Sequence, residues 1–449
     1  LKALFQAFFL AAAIQVGCAA QDSSIRYQSS HKDSLLSYID AITEKKIAKF
    51  KGPNQKQIRP ILEERKKDFQ KNLADSTFVF DDRINAYLNQ LLRRIYQSNP
   101  QVVAKDFYFF VDKSPIPNAS CYGNGIFTVN LGLLNLIETD DQLAFIFCHE
   151  IGHYLLEHND ESLLRYVATM GSKETKTRIR SIKKSEYGQF SAYRELMKDL
   201  SYNFLKRSRS DELQADSIGY RMYANTHFSK GAAIAALKRL RESDSLVFSS
   251  NSDLRRHFNF ANYPFKEGWL QAEETLLDVK EKADDYALDK DSVSTHPEIP
   301  ARIERLHAIG APDAPGSSTE ALRNVKKRAA AITIQAFIDD SRVDMAMYFV
   351  MVLFNRGELD ERAYAETIAL LLKRAYEIKE NHTFGKYVPP ISPFSEERYL
   401  NEVRTFLHRL ELKNVRKIGY EFCQKYSALM AGNKSFSNTT LFFKNLTPP

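Results

Sequence analysis

The sequence predicts a mainly helical α+β protein, with a small sheet in its first third and an all-α part at its end. Three observations carry this prediction. Apolar residues recur at helical spacing through most of the chain. Short strand-like runs cluster between Phe78 and Asn130 around the turn Gly123-Asn124-Gly125. Beyond the Pro- and Gly-bearing stretch Ala311 to Thr319, the chain reads as helix after helix. With 449 residues, 44% of them hydrophobic and 27% charged, the chain can fill roughly two or three globular domains.

Residues 1–20 combine one basic residue, an apolar run and a small-residue end, as secretory signals do. Gly17-Cys18 resembles a bacterial lipoprotein cleavage site, at which Cys18 becomes the lipidated first residue of the mature chain. Ordinary cleavage after Cys18-Ala19-Ala20 is the alternative. A retained membrane helix is disfavoured, because a span wants about 20 clearly apolar residues. The apolar run Met345 to Phe354 is too short to cross a bilayer and fits a buried helix. Membrane contact through a lipid anchor alone, in the periplasm or at the outer membrane, is the expectation.

Residues 21–75 form a helical segment, with charged amphipathic helices over Ser34 to Phe50 and Lys56 to Asn72 and a breaker at Gly52-Pro53-Asn54. They are expected to brace the next unit, residues 76–310. That unit opens with a short strand at Phe78, a helix over Asp82 to Tyr96 and a strand over Phe107 to Val111. A hairpin comes next, Ala119 to Tyr122 and Ile126 to Asn130, closed by the glycine-flanked turn. Asp140 or Thr139 then caps a helix so densely apolar that it must be buried on most sides. A long helical stretch leads from His153 to Glu212 and on to about Asn225, and Ser229 to Arg241 adds another helix. Residues 242–292 read as a lengthened loop or lid, and 311–319 as the clearest linker. Residues 320–449 form a helical domain, with helices over Glu320 to Phe337, Arg342 to Asn355, Glu358 to Glu377, Glu396 to Leu412 and Asn414 to Met430. They form either a repeat-like platform for an envelope protein partner or a packed cap, since no 34-residue period is evident.

The polar exceptions on the apolar helix are His149, Glu150 and His153, in the order His-Glu-x-x-His. Two imidazoles four residues apart on a helix point the same way and can share one zinc ion, and the glutamate beside them meets the activated water. Burying such groups unpartnered costs roughly 2–7 kcal/mol each, which favours a metal site over a pair of core histidines. A catalytic zinc needs a third protein ligand. The candidate lies in Glu212-Leu213-Gln214-Ala215-Asp216, where Glu212 and Asp216 sit one turn apart and Ala215 permits close helix packing. The acidic pair alone is weak evidence, because most such pairs are a solvated helix face.

Together these motifs make the chain resemble the gluzincin zinc metallopeptidases of the HtpX, BepA and LoiP type, over roughly residues 78–307. The likeness includes Pro117-Asn118-Ala119 and Ser294-Thr295-His296-Pro297 with Arg302-Ile303 after it. It implies a minigluzincin-like peptidase domain, one zinc held by His149, His153 and Glu212, Glu150 as general base, and Asp216 beside a ligand histidine. It implies further that Asn118, Ala119, Ser120 and Cys121 form an edge strand for extended polypeptide substrates, although a hairpin that only covers the core is the plainer reading. His296 either completes the zinc shell as a plug or donates to the oxyanion, with the plug preferred; His257 competes for either role. The membrane helices of HtpX-like members are missing here, which places the chain nearer the secreted or lipid-anchored branch. The expected activity is an envelope zinc endopeptidase for unfolded or misassembled proteins. The alternative is an assembly or chaperone-like factor whose protease site is largely self-inhibited.

The net charge of +7 is modest, and the basic run from Lys173 to Lys184 lacks aromatic interleaving, so no nucleic-acid partner is expected. If Cys18 is lipidated, Cys121, Cys148 and Cys423 allow at most one disulfide, and Cys148 is expected to be a packed free thiol.

Overall fold

The computed structural model describes residues 29, 32–103, 107–123, 125–184, 196, 209–246, 248, 250–271, 299–312, 314, 316–391 and 397–446. The expected leader, residues 1–20 with Cys18, lies outside them. The described residues are mainly helical with one four-stranded sheet, as the sequence predicts. Helices α1 (Lys32–Lys49) and α2 (Gly52–Ala74) form a hairpin. The expected breaker Gly52-Pro53-Asn54 is instead the first turn of α2, where proline fits because its missing N–H would be unpaired anyway. Phe69 of α2 packs on Phe78 and Phe110, so the hairpin braces the sheet.

Strand β1 (Phe78–Val79), helix α3 (Asp82–Ser98), the short α4 (Pro100–Val103), and strands β2 (Tyr108–Asp112), β3 (Ala119–Gly123) and β4 (Ile126–Asn130) come next. The strand order is β1-β2-β4-β3, with β2 and β4 parallel and the other pairs antiparallel. β3 is therefore an edge strand. Gly123 and Gly125 both take positive φ to close the hairpin, a conformation that costs glycine nothing.

After α5 (Leu131–Leu136) comes the buried helix α6 (Asp140–Leu155). Thr139 caps it: its hydroxyl accepts from the Gln142 N–H at 3.2 Å while the Gln142 side chain accepts from the Thr139 N–H at 3.3 Å. Asp140 and Asp141 sit in the first turn, where carboxylates oppose the helix dipole. They also bind the supposed linker. Asp141 accepts from the Ser317 N–H at 2.6 Å, and Asp140 accepts from the Thr319 N–H and hydroxyl, each at 2.9 Å. The segment around Ser317 is thus a strap fastened to the start of α6, a role its Pro/Gly/Ser composition conceals.

Helices α7 (His158–Gly171) and α8 (Lys173–Lys184) extend from α6, and the basic residues of α8 are mostly exposed. Residues 209–224 form α9; α10 (Ala232–Leu246), α11 (Leu254–Phe258) and α12 (Ile299–Ala308) succeed it. The described part of the expected lid lies elsewhere. Phe258 stacks on Phe406 at 5.0 Å and Trp269 meets the same ring at 6.0 Å, so these residues belong to the C-terminal core. Their scattered aromatics outweigh the polar average of the segment.

Helices α13 (Glu320–Asp339), α14 (Val343–Asn355), α15 (Glu361–Glu380), α16 (Phe384–Tyr387), α17 (Arg398–Arg409), α18 (Leu412–Tyr426) and α19 (Lys434–Leu446) complete the fold. The last is not expected from sequence. α13 gives Leu322, Val325, Ala329 and Ile332 to the core around the zinc helix and Ile334 and Phe337 to the second core, so it joins the two. Cys121, Cys148 and Cys423 are all free thiols. Among the described residues no helix is long and apolar enough to cross a membrane.

Candidate metal centre

The site forms where α6 crosses α9. A Cβ on Gly152 would sit 2.9 Å from the Ala215 carbonyl oxygen, and one on Gly219 would sit 2.8 Å from the His149 Cα. Such contacts are closer than real Cβ atoms tolerate, and the obstacle is backbone. Gly219→Ala is therefore expected to push the helices apart, costing about 1–3 kcal/mol as overpacking does and weakening metal retention. Urea unfolding and zinc content after dialysis check this; an unchanged variant would mean that the crossing has slack.

Close crossing sets two side-chain ladders face to face. His149 Nδ1 lies 2.8 Å from Asp216 Oδ1, and His153 Nε2 lies 3.1 Å from Glu212 Oε1. His149 Nε2 points the other way, 3.1 Å from His153 Nε2 and 3.5 Å from Glu212 Oε2. One donor atom from each of His149, His153 and Glu212 falls within 4.8 Å of the others, so the three can hold a metal ion. Tetrahedral zinc with N and O ligands at about 2.0–2.2 Å keeps its ligand atoms roughly 3.3–3.6 Å apart. The two Nε2 atoms, 3.1 Å apart, and the Glu212 oxygens, 3.1 and 3.5 Å from them, come near those separations, and two imidazoles plus a carboxylate leave a fourth position for chemistry.

Arg302 of α12 ties the assembly together. Its Nε and Nη2 donate to the two oxygens of Asp216 at 2.7 and 2.9 Å, and its Nη1 reaches Glu212 Oε2 at 2.8 Å. Burial alone would raise both carboxyls, but Arg302 and the histidines hold Glu212 well below its usual range and Asp216 below its own. Burial and Arg302 press the His149 imidazolium down; Asp216 and Glu212 outweigh them and carry it to about 10. A cation entering the site displaces that proton. Glu150, buried on the cleft wall, has its carboxyl pushed up by burial against the pull of His149 and His153.

On the far side of His153, its Nδ1 lies 2.9 Å from His158 Nδ1. Burial and the neighbouring His153 push His158 down to about 4, so it stays neutral and can accept the proton of His153 Nδ1. Sequence reasoning assigns His158 no role. Glu157 turns the chain in a left-handed conformation, so residue spacing does not reveal that 153 and 158 face each other. Arg302 enters the sequence reading only as part of a motif, yet a signal exists: Ile299, Arg302 and Leu306 share the buried face of one helix.

The cleft beside these residues has a volume of about 320 Å³. Asn118, Ala119, Ser120 and Cys121 line one wall, and Asn159 Nδ2 donates to the Cys121 carbonyl at 2.9 Å. His296, with Ser294, Thr295 and Pro297, lies outside the described residues. His257 does not compete for a place here. It is buried in the second core, where its Nδ1 meets the Tyr364 hydroxyl at 2.7 Å.

Fold and donor set together define a zinc-dependent metallopeptidase. The sequence model of peptidase family M48 matches residues 82–309, about half of the chain, and the chain belongs to that family. No curated protein matches it.

Proposed function

We propose that the chain is an exported zinc endopeptidase of the bacterial cell envelope, acting on unfolded or misassembled polypeptides, with Cys18 as its lipid anchor. The observation that carries this reading is an edge strand running along the cleft that contains Glu150 and the His149, His153 and Glu212 donors. An extended polypeptide can add to such an edge through main-chain hydrogen bonds, which accept almost any sequence. A folded protein has few free extended segments to offer.

Zinc held by the three donors supplies Lewis acidity toward a water and a peptide carbonyl. Glu150 would take the proton from that water and deliver it to the departing amine. Asp216 holds His149 by Nδ1, and His158 holds His153 by Nδ1, so each imidazole offers Nε2 to the centre.

Casein cleavage tests the activity. Turnover is expected with the zinc-loaded chain, lost on chelation and restored by zinc; no cleavage of casein or of reduced, unfolded proteins by the loaded chain would overturn the substrate reading. The anchor is tested separately. Cys18→Ser is expected to abolish an acyl mass and membrane fractionation that the parent chain shows, and absence of that mass on the parent rejects the anchor.

A further inference from the structure

A second cleft, of about 450 Å³, lies between the two cores, within the roughly 300–1,000 Å³ range of small-ligand sites. Its apolar lining comes from Leu136 of α5, from Tyr348, Phe349, Val352 and Leu353 of α14, and from Pro115 and Pro117 ahead of β3. Its polar lining is strongly one-sided. Arg239, Arg323, Lys326, Lys327 and Arg356 face only Glu138 and Glu358.

Arg239 pairs with Glu138 at 3.2 Å. Three of the other cations are met by neutral oxygen: Lys326 Nζ donates to the Ile137 carbonyl at 2.5 Å, Arg323 to the Ser318 carbonyl at 3.1 Å, and Arg356 to the Ser250 hydroxyl at 2.5 Å. Among the described residues, none of Arg323, Lys326, Lys327 or Arg356 has a carboxylate within ion-pair distance. Burial pushes the Lys326 ammonium below its usual range; Glu358 and Glu138 oppose that push, and Arg239 and Arg356 add a smaller contribution to it. An anion in the cleft would give these cations a charged partner, and an apolar body would cover the floor.

We propose that this cleft binds a long-chain carboxylate, its head among Lys326, Arg323 and Arg356 and its acyl chain along the face of α14. An acyl chain suits the floor better than a peptide does. A peptide brings N–H and C=O groups that need partners, whereas this floor is aromatic, aliphatic and proline side chain over a helix whose own backbone is already paired. Pro117 immediately precedes the segment Asn118–Cys121 that lines the zinc cleft, so the ligand would rest against the approach to the substrate strand.

Calorimetric titration of the full chain with octanoate, decanoate and laurate, below their micelle concentrations, tests the idea. Affinity is expected to rise about fourfold per methylene. Dodecanol, of the same length but uncharged, is expected to bind at least about tenfold more weakly than laurate, a factor in keeping with a charged hydrogen bond. Lys326→Gln and Arg356→Gln should each bring laurate down toward dodecanol, and Leu353→Trp, which fills the floor, should weaken both. The chain-length series and the headgroup comparison use the parent chain, so a misfolded variant does not remove the test. Absence of binding, equal binding of laurate and dodecanol, or parent-like laurate affinity in both folded charge variants overturns the proposal. So does displacement of laurate by an acidic, apolar peptide of higher affinity, which would make the cleft a peptide site.

Discussion

Glu150→Gln is expected to lower peptide turnover by about 10²–10⁴-fold, the usual contribution of a positioned general base, while zinc stays at one equivalent per chain. The amide keeps the size of the carboxyl and its place on the cleft wall, but it cannot take a proton. The donors converge from His149, His153 and Glu212 without it, so metal content should not change. His149→Ala provides the contrast, because it removes both a converging nitrogen and the partner of Asp216, and zinc should leave with it. Turnover and zinc content, measured on the same preparations, separate the two effects. Glu150→Gln activity within tenfold of the parent would assign the base to another group, and zinc loss in that variant would make Glu150 part of the metal's support.

Local rules make much of this architecture legible. The cap at Thr139, one of two candidates, the hairpin at Gly123 and Gly125 and the pairing of His149-Glu150-x-x-His153 with Glu212 and Asp216 each depend on short sequence motifs, and the structure brings His149, His153 and Glu212 together. Ala215 is small enough to let helices approach, and the crossing at Gly152, Ala215 and Gly219 is that approach. The features that escape sequence reasoning depend on long-range packing. Nothing in the composition of 311–319 says that Asp140 and Asp141 will accept its N–H groups. Nothing local says that Phe258 will stack on Phe406, and Trp269 meet the same ring edge-on, rather than hang over the cleft. His257 loses its candidacy for the same reason, since only the fold reveals that its partner is Tyr364.

Arg302→Met should be the most damaging change outside the donor set. Methionine fills a similar space but leaves Asp216 and Glu212 without the cation that both now share. Removing one partner of a buried ion cluster costs about 3–5 kcal/mol, because the remaining charges stay desolvated. Loss of support behind metal ligands also typically weakens metal affinity by about 10–100-fold. The pH dependence should change in a defined direction. Folded values for Glu212 and Asp216 lie below the ordinary ones, so these carboxyls add stability that is complete above about pH 4 and is lost as the pH falls through the folded values. Without Arg302 burial dominates and the folded values rise, so acid destabilisation should begin at a higher pH. Arg302→Lys should recover only part of the loss, since an ammonium cannot span both oxygens of Asp216 and still reach Glu212. Urea unfolding from about pH 2 to 8, with zinc content at each pH, distinguishes these outcomes. A variant with parent-like stability and an unmoved acid limb would show that the two carboxylates are held by the metal and the histidines alone.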